Sequence, residues 1–124
     1  MARDYTKIKA WQFADQLAME IYKSTKDFPK SEIFGLTSQM RRSAVSVPAN
    51  IVEGSARRHQ KEYVQFLYIA MGSLAELSYY IRFSKEIGYL KKNQYGILDS
   101  QYQQTVKTLR GLINYIEASS KSKV

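Results

Sequence analysis

HQKEYVQFLYIAMGSLAELSYYIRFSKE, His59 to Glu86, is the stretch whose spacing decides the fold. Tyr63, Leu67, Ala70, Leu74, Leu77 and Ile81 recur at steps of 4, 3, 4, 3 and 4. That period lines one face of an α-helix, whereas a half-buried strand would alternate at every second residue. No such alternation occurs anywhere in the chain. Gly88 follows as a C-terminal stop. The spacing therefore predicts a helix over 59–86 with one apolar seam facing partner helices.

Three further helices are predicted around it. Trp11, Ala14, Ala18, Ile21, Thr25 and Phe28 form a seam over 8–27, and Pro29 ends that helix. Ile33, Leu36, Met40, Ala44, Val47 and Ile51 form a seam over 32–53, with Ser31 as N-cap and Gly54 as terminator. Pro48 lies inside it and removes one helical hydrogen bond, so a kink rather than a break is expected. Tyr95, Leu98, Tyr102, Val106, Leu109, Ile113 and Ile116 mark a fourth helix over 93–118, capped by Asn93. The polar, basic tail 119–124 is expected to fray. Helices of roughly 20–28 residues are about 30–42 Å long, and short joints force chain neighbours to run antiparallel. The predicted fold is all-α, an up-down-up-down antiparallel four-helix bundle in a single domain, 1–124.

Composition narrows the function. The 124 residues are 44% hydrophobic and 24% charged, a globular balance. No apolar run reaches the ~18–20 residues of a membrane span, and MARDYTKIK lacks a signal-peptide core. Cysteine is absent, which removes disulfides, thiolate metal sites and cysteine nucleophiles and makes a cytoplasmic location the default. The lone His59 sits among Arg57, Arg58 and Lys61, and no Glu-x-x-His pair or phosphate loop occurs. Neither a metal, a cofactor nor a catalytic site is therefore expected; the chain reads as a non-enzyme.

The two middle helices carry more apolar surface than a lone bundle can bury. Opposite the seam of the third helix lie Ile69, Gly72, Glu76, Tyr80, Phe83 and Ile87. A second stripe on the second helix holds Phe34, Thr37, Arg41, Val45, Pro48 and Val52. Such stripes point to burial against another subunit, with Phe34, Val45, Val52, Ile69, Tyr80 and Phe83 as the oligomer interface. Scattered exposed apolar residues are the ordinary alternative. Each stripe contains one charge, Arg41 and Glu76. They either form a desolvated pair that fixes register, within a subunit or across the interface, or both reach solvent.

The stretch Phe28–Leu90 resembles the four-helix family first named for the 23S rRNA intervening-sequence protein. The resemblance rests on FP at Phe28–Pro29, GLTSQMRRSAVSVPANIVEG over Gly35–Gly54, and GSLAEL over Gly72–Leu77. It implies a cytoplasmic protein assembling as a homopentameric ring of four-helix bundles. Some members are encoded within 23S rRNA genes. A related branch is the accessory protein of a reverse transcriptase in diversity-generating retroelements, binding nucleic acid and the enzyme. Most members have no assigned activity.

The charge balance favours polyanions as partners. Nineteen basic against eleven acidic residues give a net charge of +8, an excess suited to nucleic acid. The densest basic segment is ARRHQK, Ala56 to Lys61, which opens the third helix. There the helix dipole disfavours cations, while backbone N–H groups favour phosphate. Arg57, Arg58 and Lys61, with Arg42 as a weaker addition, are the predicted contacts to RNA or DNA phosphates, giving affinity without sequence readout. A solvated joint is the plain alternative. Most of the ten tyrosines lie on apolar stripes, leaving Tyr79 and Tyr115 to stack on bases. Three functions follow: a nucleic-acid-binding accessory, a protein-interaction scaffold with incidental charge, and, more remotely, a membrane-surface protein. The last is disfavoured because the cations cluster at joints.

Overall fold

A computed structural model describes residues 3–122, with the side chains of 3–119. Four helices follow in order: α1 (Lys9–Thr25), α2 (Leu36–Ser55), α3 (Gln60–Glu86) and α4 (Lys92–Ser122). Short 3₁₀ turns stand at Tyr5–Lys7 and Lys30–Glu32, and there is no strand among the described residues. Each helix packs on its neighbour in sequence, and α1 packs on α4 to close the square. The first and third joints share one pole, where Tyr89 donates to Glu32 at 2.9 Å and its ring meets Phe28. The middle joint and the N-terminal segment share the other, where Arg3 donates to Ser55 and Arg57 carbonyls.

The predicted seams form the core. All six seam residues of α3 are buried, as are Met40, Ala44, Val47 and Ile51 on α2. α2 runs unbroken through Pro48. On α4 the seam is one residue off at its centre. Thr105 is fully buried and satisfies its hydroxyl on the Gln101 carbonyl, while Val106 is only half-buried. A hydroxyl can occupy such a position because the preceding turn supplies its acceptor.

Several element ends differ from the sequence expectation. α2 begins at Leu36 because residues 30–35 form a 3₁₀ turn and a further turn, leaving Ile33 exposed. Ser31 lies inside that turn and is not the cap; the Glu32 carboxylate accepts from the Leu36 N–H at 3.2 Å instead. Asn93 sits within the first turn of α4, and Gln94 reaches back to the Lys91 N–H, half of a capping box. Helix continues through residues 119–122 where a frayed tail was expected; residues 123–124 lie outside the described residues.

Two glycines do different work. Gly88 has φ +84 and ends α3. The Tyr89 N–H bonds the Ser84 carbonyl at 2.8 Å and the Gly88 N–H the Lys85 carbonyl at 3.0 Å, the paired bonds of a Schellman motif. Gly54 is not a terminator, since α2 extends to Ser55. It is buried against α3, where a Cβ would meet Phe66 Cβ at 2.8 Å and Tyr63 Cδ1 at 3.0 Å. Close approach of two helices, not backbone freedom, requires glycine there.

Two outcomes are expected. Gly54→Ala should destabilise the bundle by about 1–3 kcal/mol through overpacking, read as a lower melting temperature. Stability should also fall as pH rises beyond the ordinary tyrosine value of 10.0. The Glu32 hydrogen bond holds the Tyr89 phenol above that value, and burial does the same for Tyr63. The unfolded chain then loses those protons first, so the folded state retains more protons and is progressively disfavoured. Tyr89→Phe should flatten the slope of stability against pH above pH 10, measured by denaturant titration.

Candidate nucleic-acid interface

The middle joint places Arg57, Arg58 and Lys61 around the start of α3. His59 is the N-cap residue in extended conformation, and its own side chain makes no capping hydrogen bond. The free first-turn N–H groups and the dipole favour negative charge at this helix end. Glu62, half-buried in the first turn, supplies the acidic complement.

The three cations are not equivalent. Arg57 donates to Glu53 at 3.0 Å, one turn earlier, and lies over the Phe66 ring at 4.7 Å. That half-buried guanidinium is held flat against the bundle with its charge partly answered. Arg58 and Lys61 are exposed and form no ion pair with any described residue. Arg58 offers phosphate a mobile bidentate fork and Lys61 a mobile point charge, whereas Arg57 offers donors already positioned.

Arg3 shapes the joint from 52 and 54 residues away in sequence. Its guanidinium donates to the Ser55 carbonyl at 3.2 Å and the Arg57 carbonyl at 2.8 Å, and lies 4.3 Å from the Tyr63 ring centroid. The Ser55 carbonyl is one of those left over at the C-terminus of α2, the Arg57 carbonyl lies just beyond the C-cap Ala56, and a cation there also suits the dipole. Asp4, Thr6 and Gln12 hydrogen-bond within the same N-terminal segment. Its role as a clamp depends on contacts 52 and 54 residues away, for which there is no local sequence signal.

Arg42 stands apart from this group. It lies 15 residues before Arg57 in sequence, roughly 20 Å along α2, and lines a furrow between α2 and α3 of about 410 Å³. Gln39, Ser43, Ser46, Ser73 and Glu76 line the rest. Ser46 and Ser73 share a 2.8 Å hydrogen bond, and Ser43 donates to Glu76 at 2.7 Å.

The structure does not join Arg41 and Glu76 within the chain. Arg41 turns toward α1, donating to Thr25 Oγ1 at 2.9 Å and stacking on Tyr22. Of the expected interface residues, Phe34 is 95% exposed, and Val45, Ile69 and Phe83 are 44%, 52% and 39% exposed. Val52 and Tyr80 are half-buried. Tyr79 and Tyr115 stand out from the bundle, while Tyr63 is core. Among the described residues no group of three or more His, Asp or Glu side chains could hold a metal ion, and no helix is long and apolar enough to cross a membrane.

Comparison with known proteins adds two observations. A family model described as 23S rRNA-intervening sequence protein matches residues 6–111. A crystal structure from Bacteroides thetaiotaomicron, described as a protein with unknown function from the S23 ribosomal protein family, superposes with a TM-score of 0.78. It is 22% identical, and the match covers 85% of this chain and 95% of that one. At that identity the likeness establishes the fold. No curated protein matches.

Replacing Arg3 by alanine should cost about 1 kcal/mol, the scale of a charge-assisted bond discounted for exposure. It should also speed amide hydrogen exchange at the α2–α3 joint, which exchange mass spectrometry would detect.

Proposed function

This chain belongs to the 23S rRNA-intervening sequence protein family, and we propose that it works by binding rather than catalysis, as a self-associating bundle that takes nucleic-acid phosphates at its middle joint. The observation carrying this reading is the joint itself: Arg57, Arg58 and Lys61 surround the start of α3, whose N-cap residue His59 makes no side-chain capping bond. Arg57 supplies a fixed donor, and Arg58 and Lys61 supply unpaired charge. Contacts of this type neutralise backbone phosphates and release counterions, so binding is salt-dependent and indifferent to base sequence. The net charge of +8 extends the attraction beyond the joint.

Self-association would multiply the site. Exposed apolar side chains on α2 and α3 support burial against further copies, and the family resemblance implies a homopentameric ring in the cytoplasm. Each ring would then present several basic joints to one polyanion, raising avidity without new contacts. Accessory roles with rRNA or a reverse transcriptase fit such an assembly. A second reading is a protein-interaction scaffold, favoured by the 95% exposed Phe34 and by the Glu53 carboxylate that already occupies Arg57.

Light scattering coupled to size exclusion, with and without a short RNA duplex at two salt concentrations, separates these readings. The expected result is a mass near five times 14.4 kDa that takes up RNA at low salt and sheds it at high salt. Arg57→Ala, Arg58→Ala and Lys61→Ala combined should weaken RNA binding at least ~10-fold at low salt and reduce the log–log salt slope by about 2–3. An oligomer indifferent to RNA would favour the scaffold.

A further inference from the structure

The joint between α1 and α2 holds a cleft of about 230 Å³ that the phosphate contacts proposed above leave unused. Its charge is one-sided: Arg41, Lys26 and Lys30 line it, and no carboxylate does. Asp27 adjoins it in sequence only, and Glu32 is committed to the Leu36 N–H and the Tyr89 hydroxyl. Lys26 and Lys30 are exposed and form no ion pair with any described residue. Phe28, Pro29 and Ile33 supply an apolar wall, on which Ile33 is 53% exposed. None of the side chains assigned above to the oligomer interface lines the cleft.

Two groups in it are set up for a ligand. Arg41 is half-buried and fixed. Its Nε donates to Thr25 Oγ1 at 2.9 Å, its Nη2 donates to the Tyr22 carbonyl at 3.4 Å, and its guanidinium lies 4.7 Å from the Tyr22 ring centroid. Thr25 donates its own proton to the Ile21 carbonyl at 2.7 Å, which leaves its oxygen to accept from Arg41. Both Nη1 hydrogens of Arg41 and the second on Nη2 have no acceptor among the described residues. Thr37 is only 5% exposed, yet its hydroxyl has no hydrogen-bond partner among the described residues. So buried a hydroxyl is ordinarily paired. A positioned guanidinium edge and a nearby free hydroxyl are donors that an anion satisfies together.

We propose that this cleft binds a carboxylate carried on a short apolar body. Arg41 and Thr37 take the carboxylate oxygens, and the apolar part covers Ile33 and Pro29. Thr25 acts as a positioning residue for Arg41, and the two mobile lysines draw the anion in. A nucleic-acid phosphate satisfies the charge but not the wall, because its ester carbons belong to a polar sugar. The volume lies below the ~300–1,000 Å³ of sites for drug-sized molecules, so the body is small. Two sources carry this chemistry: a free branched or aromatic acid, and the terminal carboxylate of a polypeptide ending in an apolar residue.

Methyl-resolved NMR of the intact protein, with isoleucine δ1 carbons labelled, reads the cleft through Ile33, and the buried Ile51 and Ile116 serve as controls. N-acetyl-leucine should shift the Ile33 signal saturably, and the uncharged N-acetyl-leucinamide should bind at least ~10-fold more weakly. Arg41→Gln should weaken N-acetyl-leucine binding at least ~10-fold and Thr37→Val about 3-fold, with circular dichroism checking each fold. Because Arg41 also braces α1, a second variant avoids the packing: Lys26→Gln with Lys30→Gln should weaken binding about 3-fold at an unchanged melting temperature. An acetylated Ala-Ala-Leu tripeptide binding at least ~10-fold tighter than N-acetyl-leucine assigns the site to a chain terminus, and no such gain assigns it to a free acid. Absence of a saturable Ile33 shift, an amide that binds as well as the acid, or inorganic phosphate binding more tightly than N-acetyl-leucine would overturn the site. None of these outcomes depends on RNA binding or on self-association.

Discussion

The placement of the middle joint's cations and of Glu76 depends on how closely α2 lies on α3. At Gly54 the helices approach to a distance that excludes even a methyl group, with Phe66 and Tyr63 filling the space. Farther along, serines rather than large apolar residues meet, and Ser46 bonds Ser73 directly. Helix axes can come close only where side chains are small or absent, and the polar atoms brought inward must then find each other. The same approach turns the middle joint sharply, which sets Arg57 against Phe66 and leaves Arg58 and Lys61 outward. It also shapes the furrow in which Glu76 sits.

The two poles are stitched by different chemistry. At the pole shared by the first and third joints, Phe28, Tyr89 and Glu32 combine ring contact with a hydrogen bond, and Glu32 simultaneously caps α2. One carboxylate thus serves a helix end and a neighbouring joint. At the opposite pole a single guanidinium takes up two carbonyls and an aromatic face. Arginine suits this place because its planar fork donates in its own plane and stacks across it. The basic character of that pole is therefore divided between Arg3, which is spent inward, and Arg58 and Lys61, which face solvent.

The helical architecture was legible because seams repeat over many turns. The α3 spacing named all six of its buried seam residues, and the stops at Pro29 and Gly88 were local and unambiguous. Legibility failed where structure depends on distant contacts. Ser31 had the composition of a cap, yet Glu32 does the work because Tyr89, 57 residues away, holds its other oxygen. Gly54 resembled a terminator, but its reason is Phe66 on another helix. The candidate site shows the same division. Clustering of Arg57, Arg58 and Lys61 followed from adjacency in sequence, while the separation of Arg42 and the divergence of Arg41 from Glu76 required knowing which flank of α2 each neighbour occupies.

The order of helix contacts bears on how the chain reaches this state. Three of the four interfaces join helices adjacent in sequence, and only α1 on α4 joins distant ones. Bringing α1 and α4 together closes the longest loop, while hairpins of neighbouring helices close short ones at smaller entropic cost. On loop length alone, the α2–α3 hairpin is favoured to form before the α1–α4 seam. Transient opening along that seam would expose the buried stripes of two long helices at once, so the growing chain is most vulnerable to misassembly before α4 is complete.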